Sequence, residues 1–191
     1  MTIGFAVQGS TDRAFVLGLQ KRWCPDARLV EGAFRGSTGL SLRRELAKIC
    51  DDLFCHKGCD VLVFISDADV NDWREVQRRE VAKLPANMRG FAIYGMADRN
   101  IECWLCADPG YVANVTNRNA QDFAVNDPKG VFQSAMQITR DEKRDQEIVI
   151  FVVNAPLRQW LVNSRSFEDF FDQMWAVSKQ RECSIENLRA R

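Results

Sequence analysis

The stretch Val61-Leu-Val-Phe-Ile-Ser-Asp67-Ala-Asp69 decides the fold. Its apolar part is short, rich in β-branched residues and free of Gly and Pro, so it reads as a buried strand. On an extended backbone, residues i and i+2 point to the same face. Asp67 and Asp69 are then expected to project together from the C-terminal end of a core strand. In open α/β sheets, ligands bind beyond that edge. Two converging carboxylates there make a hard oxygen site that suits Mg²⁺. A plainer role fits the same spacing. Asp at a strand-to-helix junction often caps the next helix, and Asn71-Asp-Trp-Arg-Glu75 looks helical. Spacing alone leaves both readings open.

The flanking segments extend the pattern. Ile3-Gly-Phe-Ala-Val7 predicts a first strand, broken at Gln8 to Asp12. Ala14, Phe15, Leu17, Leu19 and Trp23 predict a helix, capped by Ser10 or Thr11 and ended by Pro25-Asp26. Arg28 to Ala33 forms a weaker second strand, and Gly36 to Gly39 a turn. Apolar positions 42, 46, 49, 50 and 53 give Leu40 to Phe54 helical spacing, ending at Gly58. After the central strand come an amphipathic helix over 71–84, stopped by Pro85, and a fourth strand, Phe91 to Tyr94. The order β-α-β-α-β-α-β favours a mostly parallel sheet with right-handed crossovers.

The second half changes character. Helices are expected over Asn100 to Ala107 (ended by Pro109), Lys129 to Ile138, Leu157 to Val162 and Phe167 to Lys179 (capped by Ser166). Asn114 to Asp127 reads as a polar loop. Gln146 to Val153 is ambiguous: β-branched like a strand, but set among helices. The expected organisation is an α/β core over 1–108 with a mainly helical extension over 109–191, together one domain.

Composition narrows the function classes. The 191 residues are 46% hydrophobic and 27% charged, as in a globular chain. Lys plus Arg and Asp plus Glu balance at 26 each, so no general basic field recommends nonspecific nucleic-acid binding. No basic-then-apolar leader opens the sequence, and no apolar run approaches the ~20 residues that span a bilayer. A cytoplasmic protein without a membrane partner is the expectation. Seven Cys, an odd number, argue for reduced thiols. Cys50, Cys55, His56 and Cys59 have poor spacing for zinc. Cys103-Trp-Leu-Cys106 reads as buried thiols in a helix.

In such a sheet the first and third strands lie side by side at the switch in strand order. The turn Gln8 to Asp12 then faces Asp67 and Asp69. Gly9 allows close backbone approach to a ligand. Asp12 either holds metal or complements the helix dipole. Glu102 follows the fourth strand, with Arg99 three residues before it. An Arg beside carboxylates suits a phosphodiester, the metal taking one phosphate oxygen and Arg another; an ordinary i, i+3 surface pair is the alternative. His56 is the only His, which weakens triad chemistry, and no Walker A sequence is present.

These pieces resemble the TOPRIM fold, the metal-binding domain shared by topoisomerases, primases and several nucleases. More narrowly, the chain resembles a small family of stand-alone TOPRIM-like proteins of unknown function, often associated with prokaryotic defence loci and encoded beside ATPases. The resemblance rests on Val7-Gln-Gly-Ser-Thr-Asp12, Ser66-Asp-Ala-Asp69, Arg99-Asn-Ile-Glu-Cys-Trp-Leu-Cys-Ala-Asp108, Asp127-Pro-Lys129 and Ser164-Arg-Ser-Phe167. They follow the family's order, and the Ile-Glu-x-Trp-Leu-x-Ala-Asp segment is the most specific. It implies a Rossmann-type core in which Asp67 and Asp69 are the metal ligands and Glu102 belongs to the second acidic motif. The implied cofactor is Mg²⁺ or Mn²⁺, and the implied function a nuclease or phosphodiester-transfer protein acting on DNA or RNA in antiviral defence. One departure matters: the family carries Glu after the first strand, and this chain has Gln8. Gln cannot exchange a proton, although its carbonyl can ligate weakly; Asp12 or Glu31 could compensate. The alternative implied role is a catalytically weakened subunit that binds an ATPase partner. The number of assembled copies stays open, a homo-oligomer included.

Overall fold

The computed structural model describes residues 1–35, 38–136, 142–179, 183, 185 and 188. Four strands form one sheet: β1 (Thr2–Val7), β2 (Arg28–Glu31), β3 (Val61–Asp67) and β4 (Ala92–Ala97). Their order is β2-β1-β3-β4 and every pairing is parallel. Strand β4 runs three residues past Tyr94, to Ala97, and pairs along the whole end of β3.

The period of two along β3 sorts its side chains. Val61, Val63 and Ile65 enter one core, while Leu62 and Phe64 enter the other. The first core is covered by α1 (Ser10–Trp23) and by helices of the second half, through Ala14, Phe15, Leu19, Trp104, Trp160 and Phe170. The second is covered by α2 (Gly39–Asp51) and α3 (Trp73–Ala82), through Leu42, Leu46, Ile49, Trp73 and Val76. A π-helical turn, Asp52–His56, continues α2, and Gly58 turns the chain at a φ of 62° that favours glycine.

The remaining helices are α4 (Glu102–Leu105), α5 (Pro109–Thr116), α6 (Ala120–Phe123), α7 (Lys129–Ala135), α8 (Glu142–Asn154), α9 (Leu157–Asn163) and α10 (Arg165–Ser178). Several expectations are corrected here. Pro109 begins a helix instead of ending one: it occupies the first turn of α5, and Asp108 Oδ1 accepts the Tyr111 N–H at 3.1 Å as its cap. The expected loop 114–127 therefore holds the end of α5 and all of α6. Gln146 to Val153 is helical. Gly18 of α1 lets α8 approach so closely that a Cβ there would lie 2.6 Å from Val152 Cβ; this packing overrides the β-branched composition.

Caps also differ from expectation. Gly9, with no side-chain cap, precedes α1, and Ser164 caps α10 by accepting the Phe167 N–H at 3.3 Å. Ser166 instead accepts the indole N–H of Trp104 at 2.7 Å and the Asp98 N–H at 3.3 Å. Part of the expected 36–39 turn and the end of the expected helix 129–138 lie outside the described residues.

Helix α10 closes the outer edge of β4. Gln173 Oε1 accepts the Tyr94 N–H at 2.9 Å, and Gln77 Nε2 donates to the Tyr94 carbonyl at 2.9 Å. These amides satisfy an edge that would otherwise invite a foreign strand. At the far end of the sheet, Cys24 and Cys183 form a disulfide with Cα atoms 5.2 Å apart. The expectation of thiols throughout fails for this pair, because counting Cys cannot reveal that the fold returns residue 183 to the end of α1. Cys50, Cys55, Cys59, Cys103 and Cys106 are free. Among the described residues, no helix is long and apolar enough to cross a membrane.

Candidate functional site

The connection from β1 through α1 leads to β2, and the connection from β3 through α3 leads to β4 on the other side. The switch point therefore lies between β1 and β3, the place where open α/β sheets form a ligand crevice. Val7 pairs with Ile65, which brings Gln8 and Asp67 to adjacent strand ends. The Asp67 N–H donates a long hydrogen bond to Gln8 Oε1 at 3.5 Å, and Arg43 Nη1 donates to the Asp67 carbonyl at 3.0 Å. Both Gln8 Oε1 and Arg43 Nη1 crowd Gly39, where a Cβ would clash.

Parity sends Asp67 to the same face as Val63 and Ile65, the face covered by α1. Asp12 reaches that face from the first turn of α1, and Glu102 from the first turn of α4. Asp67 is 6% exposed, Asp12 4% and Glu102 2%. Burial of this depth is unusual for carboxylates without compensating partners. Asp12 Oδ1 and Asp67 Oδ1 have no hydrogen-bond partner. Glu102 Oε1 accepts from Gln133 Nε2 of α7 at 3.1 Å.

The electrostatics reflect the same crowding. Burial, then the charge of Glu102, pushes Asp67 up to about 7. Burial, then the charges of Asp67 and Glu102, holds Asp12 well above the usual carboxylate range. Lys129, exposed at the start of α7, pulls both acids the other way.

Asp67 and Asp69 do not share an extended face. Strand β3 ends at Asp67, and Asp69 is exposed in a turn with a φ of 55°. Its N–H donates to the Arg99 carbonyl at 3.0 Å, and Arg99 too has a positive φ, 65°. Two non-glycine residues in the left-handed region meet at this rim, and such strain collects at functional sites. The charge of Asp69 still raises Asp67. Asp69 is not the helix cap either: Asp72 accepts the Arg74 N–H at 2.8 Å.

Arg99 and Glu102 part company. Glu102 turns inward to Gln133, while Arg99 stays exposed. Gly9 makes room for an acid as well as for a ligand, since a Cβ there would lie 3.0 Å from Asp12 Oδ2. Glu31 pairs with Arg13 at 3.1 Å, at the end of β2.

Two residues escaped the reading of site chemistry in the sequence, Lys129 and Gln133. Asp127-Pro-Lys129 carried the signal as a matched piece, without a role. Asp127 Oδ1 accepts from Asn100 Nδ2 at 2.9 Å and from the Lys129 N–H at 3.3 Å. These bonds tie the start of α7 to the end of β4, and the Asn100 bond holds the Asp127 carboxyl below its usual range.

The donor set suits a hard divalent ion: buried carboxylates with orphaned oxygens and mutual repulsion that a cation would relieve. Among the described residues, no three His, Cys, Asp or Glu side chains are grouped closely enough to hold an ion by themselves. An ion bound by one or two carboxylates and completed by water and substrate is the manner usual for Mg²⁺. No family model matches the chain, and no curated protein matches its sequence.

Proposed function

We propose that this protein is a Mg²⁺- or Mn²⁺-dependent enzyme that cleaves phosphodiester bonds in nucleic acid, as the TOPRIM resemblance implies. The observation that carries the reading is the pair of buried, unpartnered oxygens, Asp12 Oδ1 and Asp67 Oδ1, at the switch point of the sheet. In it, Asp67 and Asp12 would hold the ion, Glu102 would add negative charge behind them, and Asp69 stands at the rim. When bound, the ion supplies charge stabilisation at a phosphate oxygen and a more acidic water.

The chain's own residues do the rest. Lys129 is an exposed cation beside the acids and Arg99 an exposed cation beside Asp127, and both can receive the remaining phosphate oxygens. Gln8 fixes the Asp67 backbone through the Asp67 N–H. Asn100 and Gln133 hold Asp127 and Glu102 in place. The resemblance adds a defence setting with an ATPase partner.

Gln8 favours a second reading, a subunit with a silenced site that binds such an ATPase, because an amide cannot move a proton where the family has Glu. One assay separates the two. Purified protein is incubated with plasmid and with RNA in Mg²⁺ or Mn²⁺, beside Asp67→Ala. Cleavage that disappears in the variant supports the enzyme. An inert wild type with an active Gln8→Glu variant supports the silenced subunit.

A further inference from the structure

A second concavity opens beside the acids, between the end of β1, the end of β2 and the start of α1. It is an open groove of about 660 Å³ lined by Gln8, Gly9, Ser10, Arg13, Gly32 and Phe34 among others. Two of its lining residues adjoin the acids: Gln8 accepts the Asp67 N–H, and Gly9 lies against Asp12 Oδ2. The lining has three kinds of chemistry. Phe34 is half-buried and offers an aromatic surface. Gln8 and Ser10 carry groups that donate or accept hydrogen bonds. Arg13 and Glu31, paired at 3.1 Å and each about half-exposed, bring a guanidinium and a carboxylate to the wall.

Arg13 of α1 lines this groove, and two further cations touch its neighbours: Arg43 of α2 donates to the Asp67 carbonyl, and Arg144 of α8 donates to Ser10 Oγ and pairs with Asp145 at 3.6 Å. Lys129 is exposed near Asp12 and Asp67, and Arg99 is exposed near Asp127.

We infer that this groove is a nucleotide subsite that takes one unpaired nucleotide of a single strand, adjacent to the phosphodiester at the acids; the inference rests on the function proposed above. Volume and lining argue for an unstacked base. The groove is on the scale of a small-molecule pocket, a size suited to one nucleotide. Aromatic surface with nearby Arg is the usual platform for single-stranded nucleic acid. Gln8 then acquires a task that Glu would perform badly. It presents an uncharged hydrogen-bonding amide to the nucleotide and adds no second carboxylate to a groove that Glu31 already lines.

The test is fluorescence anisotropy with the full-length protein in Ca²⁺. The probes are a labelled mixed-sequence oligonucleotide as DNA and as RNA, each single-stranded and duplexed, with a nucleoside monophosphate as competitor. Single strands of at least one type should bind about tenfold more tightly than the matching duplex. Phe34→Leu, which keeps apolar bulk but removes the ring, should lose about tenfold, and the surface change Arg13→Gln should lose affinity with unchanged thermal melting. Competition by the monophosphate alone, with no preference for an oligonucleotide, would make the groove a mononucleotide site and overturn the strand assignment. Equal binding of duplex and single strand, or indifference to both substitutions, would also overturn it. If Asp67→Ala still abolishes cleavage in that case, the acidic site stands and only the groove assignment fails. Groove-dependent binding without any cleavage would instead sustain the groove and end the enzymatic reading.

Discussion

Gln8 and Asp67 are joined across the sheet: the Asp67 N–H donates to Gln8 Oε1 at 3.5 Å, from the ends of two neighbouring parallel strands. An amide can sit there without adding charge. A carboxylate could not, because Asp12, Asp67 and Glu102 already crowd the crevice. Gln8→Glu is therefore expected to lower stability in chelator by about 1–3 kcal/mol through like-charge repulsion. Added Mg²⁺ should recover the loss. Chemical denaturation with and without the ion measures both.

The pH dependence follows from Asp67. Its folded-state carboxyl titrates at about 7 against an ordinary value of 3.8. Between those values the folded protein binds more protons than the unfolded chain, so stability falls as pH rises. Asp12 shifts in the same direction. In chelator, the melting temperature should drop as pH climbs from about 4 through about 7, and Asp67→Asn should flatten that drop. A wild type whose stability rises steadily over this window would contradict the like-charge picture.

Much of the α/β core is legible in the chain, and the reasons are local. The β1 and β3 runs are apolar and bounded by polar turns, and their buried faces keep a period of two. The site is less legible. Asp67 is readable because strand parity reaches it, whereas Asp69 lies one turn beyond the strand and follows no parity. The deep burial of Asp12 depends on α1 packing between sheet and α8, a long-range event. Lys129 reaches the acids only because Asp127 holds Asn100 across the fold. Pro109 reads from sequence as the end of a helix, yet a proline also fits the first turn of the next one, which is where it stands.

Ser166 tests the scaffold apart from the chemistry. It is buried and accepts from both Trp104 Nε1 and the Asp98 N–H. Ser166→Ala should leave those donors unpaired and cost about 1–3 kcal/mol of stability. Cation binding should be unchanged at temperatures where the variant remains folded. A variant as stable as wild type would show that these hydrogen bonds contribute little.

The most direct test of the central claim is cation binding at the buried acids. Titrating Mn²⁺ into the purified protein, with free ion read by electron paramagnetic resonance, should show a bound ion in the wild type. That binding should be lost in Asp67→Asn and in Asp12→Asn, both of which should melt at or above the wild-type temperature in chelator, because each removes a carboxyl whose ionisation burial and neighbouring acids oppose. Wild-type protein that binds no Mn²⁺, or variants that bind it equally well, would contradict the account.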